Sequence, residues 1–393
     1  MTPADCDPGG ALTHEAFVTM LSRTRWEVLA RGPGVDVFAR QGARTVVRRT
    51  NTEYHADASP GTTLLFATAL THLGRSSFSI HQTARRESDQ IMVAEAETVL
   101  ECVGGDGEPV GVPHEIRQFL GSRPSVRAGA FQHVAVRDVA TAVDVQGDGP
   151  PILFLHGFPL DRTMWRHMSA PLTGRRRIAP DFRGLGMSDA PEGGYSIETY
   201  ADDMVVLLDL LEVEQPVVCG LSMGGYVALD MVRRHRGRVR GLILMNSRAN
   251  PDDNSARSAR DDAIQLVRRQ GPAALVDQLL PKLLAPETLR TMPDVVERVR
   301  TMIAGSSPTG IIGALTAMRE RVDSTPLLRE IDLPTLVVAG REDQLVSVEE
   351  ARSMAGLIKG AHFTVLAGAG HLAPMEQPIA ASRLVGEFLE SLG

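Results

Sequence analysis

The chain of 393 residues is poor in several things at once. Only two of its 41 basic residues are lysine, Lys282 and Lys359, so nearly all positive charge is carried by arginine. We read that bias as a GC-rich coding habit and draw no function from it. The three cysteines, Cys6, Cys102 and Cys219, are too few and too scattered for a disulfide framework or a zinc site. No stretch approaches the roughly 18 consecutive apolar residues of a membrane span, and the mean hydropathy is −0.05. Met1–Asp7 has neither a basic n-region nor an apolar h-region, so a cytoplasmic protein is expected. Positive charge is not in excess. The net charge is −7 and the pI about 5.9, which gives no electrostatic footprint for nucleic acid.

What is present is an ordinary globular composition, 43% hydrophobic and 23% charged, which excludes wholesale disorder. The length suggests two or three domains. A short polar, breaker-rich stretch, Leu120-Gly-Ser-Arg-Pro-Ser-Val-Arg-Ala-Gly129, reads as a linker. It separates a domain over 1–124 from one over 125–393.

The first domain opens with a helical pattern, Ala16, Phe17, Met20, Leu21, Val28 and Leu29, stopped by Gly32-Pro33-Gly34. Four extended runs follow, over 44–51, 62–73, 76–85 and 90–103. One helix and a meander of long strands predict an α+β domain with the helix laid on an antiparallel sheet. The second domain instead alternates short apolar runs with helical patterns. The runs Ile152–Leu155, Pro216–Cys219, Gly241–Met245 and Thr335–Ala339 suit strands of a mostly parallel sheet buried on both faces.

Gly220-Leu-Ser222-Met-Gly224 follows such a strand and enters a helical pattern, the setting of a nucleophile elbow. A serine hydroxyl needs a base to take its proton and a carboxylate to orient that base. In the chain order Ser, acid, His, the candidates are Asp343 after the strand ending at Gly340 and His371 after Phe363–Leu366. Glu342, and more weakly Glu376, compete for the acid role. His362 competes with His371 but falls at the start of its strand, on the opposite edge. An oxyanion needs preorganised N–H donors. Those of Met223 and Phe158 are the candidates, with His156 beside Phe158 read as structural.

These motifs, together with Asp181-Phe-Arg183-Gly184-Leu-Gly186-Met-Ser188 and Ser222-Met-Gly-Gly225, resemble the α/β-hydrolase superfamily from about residue 131 to 393. Within it the chain is similar to the esterase, enol-lactonase and cofactor-free perhydrolase group. Ser222 disfavours the relatives with an aspartate nucleophile. The resemblance implies helices on both faces of the sheet and a helical cap inserted at about 251–328, in which Leu279, Leu283, Met302 and Met318 either line an acyl pocket or pack the cap.

In the first domain, Asp7-Pro-Gly-Gly10-Ala-Leu-Thr-His14, Arg25-Trp-Glu-Val-Leu29, His72-Leu-Gly-Arg-Ser-Ser77 and Val112-Pro113 resemble the hotdog-fold acyl-CoA thioesterases of the 4-hydroxybenzoyl-CoA type. That resemblance implies Asp7 as nucleophile or general base on a thioester, His14 as its assistant, and a homodimer with the site at its interface. Two positions depart from the family. Only six residues precede Asp7, where the family has a strand, and position 13 is Thr13 rather than Asn or Tyr. The combined reading is a bifunctional acyl hydrolase, similar in layout to product-release enzymes of polyketide or aromatic-acid pathways. Its rivals are an acyltransferase or cyclase working through acyl-Ser222, and a hydrolase whose first domain serves only to dimerise or to dock an acyl carrier. No metal constellation, phosphate loop or dinucleotide fingerprint is found, so no bound cofactor is expected. CoA or a carrier-protein arm enters only as part of a small acyl substrate.

Overall fold

The computed structural model describes residues 1–7, 11–31, 36–73, 76–89, 91–113 and 130–392. The expected linker at 121–129 and helix stop at 32–34 lie outside these residues, as do positions 8–10 and 74–75 of the thioesterase-like motifs. The chain divides into two compact units, Met1–Ser125 and Val126–Gly393.

In the first unit the helix His14–Arg31 precedes four strands: β1 (Arg44–Tyr54), β2 (Leu64–Leu73), β3 (Ser77–Arg86) and β4 (Met92–Val103). They form an antiparallel sheet in the order β1-β4-β3-β2. The helix packs on this sheet through Phe17 and Leu21, which share a buried cluster with Ala84, Ala94 and Ala96. The buried Gln82 amide pins the helix to the sheet by donating to the Leu21 carbonyl at 2.9 Å and to Thr24 Oγ1 at 2.8 Å. Thr13 caps the start of the helix, its hydroxyl accepting from the Ala16 N–H.

The second unit is built on an eight-stranded sheet: β5 (Ala130–Val136), β6 (Val139–Gln146), β7 (Pro151–Leu155), β8 (Arg176–Pro180), β9 (Val217–Leu221), β10 (Gly241–Met245), β11 (Thr335–Gly340) and β12 (His362–Leu366). Their order is β12-β11-β10-β9-β7-β8-β6-β5. From β8 to β12 every pairing is parallel, and β5 and β6 close one edge antiparallel. The strands expected from apolar runs are the central ones, wholly buried in β9, β10 and β11. Three others carry no such run. β8 reads Arg-Arg-Ile-Ala-Pro, and β5 and β6 are broken by polar residues such as His133, Thr141 and Asp144.

Helices cover the sheet by ordinary periodicity. In Ile197–Leu210, capped by the Ser196 hydroxyl on the Thr199 N–H, the buried residues Ile197, Tyr200, Ala201, Met204, Leu207 and Leu208 make one stripe. Between β10 and β11 run the helices Asn254–Gln270, Val276–Leu283, Pro286–Thr291, Pro293–Ala304 and Pro308–Arg319. Leu283, Met302 and Met318 are buried there and Leu279 partly so, all within the same apolar cluster as the sheet. Burying a side chain of this size contributes about 1.5–3 kcal/mol.

Candidate active site

Because β9, β10, β11 and β12 are parallel neighbours, the loops after them emerge on one edge. Ser222 follows β9, Asn246 follows β10, Asp343 follows β11 and His371 follows β12. This is the edge where open α/β sheets present their ligands.

Ser222 sits at the turn between β9 and the helix Met223–Arg234, with φ 52° and ψ −114°. Positive φ in a residue with a Cβ is strained and persists only where the surroundings hold it. The Ser222 N–H donates to the Met245 carbonyl at 3.0 Å, and its carbonyl accepts from Ser247 Oγ at 2.9 Å. The flanking glycines are steric necessities. A Cβ on Gly220 would stand 2.3 Å from the Gly224 carbonyl oxygen, and one on Gly224 would stand 2.1 Å from that of Leu155. As the first helical residue, Met223 has an N–H with no partner inside its own helix, directed at the region before the turn.

Asp343 and His371 meet directly. Nδ1 of His371 lies 2.8 Å from Oδ2 of Asp343, and both side chains are almost wholly buried. An ionised carboxylate only accepts, so Nδ1 carries the proton and Nε2 keeps the lone pair. The remaining capacity of Asp343 is filled. Oδ1 accepts from the N–H groups of Leu345 and Val346, and Oδ2 also accepts from Asn246 Nδ2 at 2.8 Å. Burial pushes the Asp343 carboxyl upward. The attraction of the His371 ring when it is protonated, and the hydrogen bonds from His371, Asn246 and Val346, outweigh it and hold the group below the usual carboxylate range.

Glu342 is not the acid that reaches the histidine; its backbone N–H donates to the Ala369 carbonyl. His362 is exposed at the start of β12. His156 is fully buried, with Nδ1 3.0 Å from the Gly157 carbonyl and Nε2 accepting from the Phe182 N–H at 3.0 Å. Burial depresses its pKa. Both ring nitrogens are therefore spent on holding the loop of Phe158 to that of Phe182. Sequence reasoning missed Asn246. An asparagine after a strand carries no signal until the neighbouring strand brings the acid beside it.

In the first unit Asp7 and His14 are engaged by different groups. The exposed Asp7 carboxylate accepts from the Ala11 N–H at 3.0 Å. His14 Nδ1 lies 2.9 Å from the Tyr54 hydroxyl. His14, Tyr54 and His55 line an open cavity of about 460 Å³ with Leu12, Asp57 and Val93. Strand pairing also gathers a group that spacing alone did not disclose. A carboxylate oxygen of Glu53, a ring nitrogen of His55 and a carboxylate oxygen of Glu95 all lie within 4.8 Å of one another, with Glu53 directly opposite Glu95 in the β1–β4 ladder.

Both units resemble known proteins. Residues 150–378 match the model of the alpha/beta hydrolase fold, and the chain belongs to that family. Residues 1–120 match the model of the thioesterase-like superfamily. The AB hydrolase superfamily protein YisY of Bacillus subtilis is 31% identical over 266 residues, which span 64% of this chain and 96% of that protein. The 3-oxoadipate enol-lactonase 2 of Acinetobacter baylyi is 30% identical over 258 residues, 63% of this chain and 95% of its own. Among solved structures, a thermophilic esterase from Thermogutta terrifontis is 40% identical with a TM-score of 0.64, covering 67% of this chain and 97% of that one. The chain is thus an enzyme of the hydrolase class. Among the described residues, no helix is long and apolar enough to cross a membrane.

Proposed function

We propose that this protein is a bifunctional acyl hydrolase whose second unit cleaves a carboxylic ester, lactone or thioester through Ser222. The observation that carries this reading is the buried 2.8 Å bond between His371 Nδ1 and Asp343 Oδ2, on the sheet edge that also bears the strained Ser222. Esterases and an enol-lactonase among its relatives support the substrate class. His371 Nε2 takes the Ser222 proton as Oγ attacks the acyl carbon. The oxyanion is received by the N–H groups of Met223 and Phe158, and His371 returns the proton to the leaving alcohol or thiol. Water, deprotonated by His371, then releases the acid from acyl-Ser222. The helices between β10 and β11 act as the cap over the acyl group.

The first unit, in this reading a hotdog domain acting in a homodimer, hydrolyses an acyl-CoA or acyl-carrier thioester with Asp7 and His14, in the cytoplasm. Its match to the thioesterase-like model and the cavity beside His14 support this. A second reading, a domain that only dimerises or docks a carrier, is favoured by one observation: the Asp7 carboxylate accepts from the Ala11 N–H. The test is a substrate panel. Ser222→Ala should abolish p-nitrophenyl ester hydrolysis and fluorophosphonate labelling, and retained turnover refutes the triad. Asp7→Asn should reduce acyl-CoA hydrolysis with esterase activity intact. If acyl-CoA turnover tracks Ser222 alone, the second reading holds.

A further inference from the structure

The acyl-transfer scheme leaves one buried carboxylate beside the histidine without a role. Glu376 is 2% exposed, and each of its oxygens accepts twice. Oε1 takes the backbone N–H groups of Gly370 at 2.9 Å and Leu372 at 3.1 Å, the two neighbours of His371. Oε2 takes the Ala285 N–H at 2.7 Å and the Thr288 hydroxyl at 2.7 Å, both in the helical insertion. The insertion also grips the same loop from its own side. The Leu283 carbonyl accepts from the N–H groups of His371 and Leu372, both at 3.1 Å. Gly370 is pressed so close that a Cβ there would stand 2.5 Å from the Ala285 nitrogen.

The chemistry of the four partners matters. All four donate to Glu376, and three are backbone N–H groups, which can only donate; that of Leu372 is shared with the Leu283 carbonyl. Only a carboxylate satisfies them all, since an amide or a protonated acid would turn a donor toward a donor. A buried charge is costly, and apolar packing in its place is often neutral or better for stability. Its presence at the joint between the histidine loop and the insertion therefore calls for a positional explanation.

We propose that Glu376 is a positioning residue that ties the His371 loop to the insertion, so that the imidazole stays seated on Asp343 only while residues 283–288 are docked. The inference rests on the reading of Ser222, His371 and Asp343 as a triad, and it makes the base sensitive to movement of the cap. Misplacing a catalytic group by about 1 Å costs on the order of 10²-fold in rate.

The experiment uses the full chain with Glu376→Gln, Thr288→Val and Ser222→Ala, each confirmed as folded by circular dichroism and assayed well below its Tm. Esterase kcat and KM are measured with a p-nitrophenyl ester. The low-field proton resonance of the His371 Nδ1–H is recorded without substrate. Glu376→Gln should lower kcat by about 10- to 100-fold with KM nearly unchanged, and should shift or broaden that resonance. Thr288→Val, which removes only the insertion-side hydroxyl, should act in the same direction and more weakly. Wild-type kcat and an unaltered resonance in Glu376→Gln overturn the proposal, as does a loss of activity with the resonance unmoved. Should Glu376→Gln not fold, Thr288→Val decides by the same two readouts. An active Ser222→Ala refutes the triad instead, and the resonance, which needs no turnover, still decides the role of Glu376.

Discussion

Asn246 and Asp343 are joined by a 2.8 Å hydrogen bond between Nδ2 and Oδ2, the same oxygen that receives Nδ1–H of His371. Asn246 also donates to the Gly370 carbonyl at 3.1 Å, so one amide holds both the acid and the loop of the base. Asn246 has φ 49°, a backbone state for which asparagine is among the best-tolerated residues after glycine. Replacing it by glycine keeps the backbone permissible and removes the side chain that carries the amide. Asn246→Gly should lower stability by about 1–3 kcal/mol, the cost of stripping a buried acceptor of its donor. It should also lower kcat. A urea midpoint and a kcat both equal to wild type would show that the amide positions nothing.

Asp343→Asn should leave the fold intact and reduce kcat by as much as about 10⁴-fold with little change in KM, because the amide presents a donor to Nδ1 and favours the wrong tautomer. Steady-state kinetics on the purified variant test this. A loss below tenfold would transfer the acid role elsewhere, with Glu342 the first candidate.

The same carboxylate makes stability depend on pH with a definite sign. Its native pKa is held below the ordinary carboxylate range, so its contribution is present above its unfolded value and lost as pH falls through the depressed native value. Urea midpoints of wild type and Asp343→Asn should differ most near neutrality. The gap should close as the pH drops below about 4. A gap that stays constant down to pH 3 contradicts the assignment.

Gly224→Ala places a Cβ 2.1 Å from the Leu155 carbonyl oxygen, which belongs to β7 and has no flexible end to yield. The helix after Ser222 must retreat from the strand or the elbow must open. We expect a loss of several kcal/mol, beyond the common range of about 0.5–3 for point substitutions, read as a fall in Tm or as insoluble protein. Gly237→Ala, with open space around its Cβ position, is the matched control.

Much of this was legible in the amino-acid order. Strands buried on both faces must be apolar throughout, so β7, β9, β10 and β11 announced themselves. β8, with two arginines at its start, and the edge pair β5 and β6 did not. Ser222 and Asp343 were legible as candidates because each follows such a strand, and His371 because it follows the shorter run Phe363–Leu366 of β12, an edge strand only partly buried; parallel pairing sends the ends of all three strands to one edge. The sequence by itself determined the residue types of the site and the glycines that let the elbow close.

Only the tertiary structure decided which carboxylate serves which partner. Asp343 and Glu342 are adjacent in the chain, yet one reaches His371 and the other does not. Glu376, a weak rival for the acid role, instead accepts from four donors, two of which lie about ninety residues earlier in the chain. In the first unit, folding directed Asp7 to the Ala11 N–H and His14 to Tyr54. The physical reason is common to all of these. A polar group's partner is set by which surfaces the hydrophobic core brings within about 3 Å, and that distance is a property of packing and not of order along the chain.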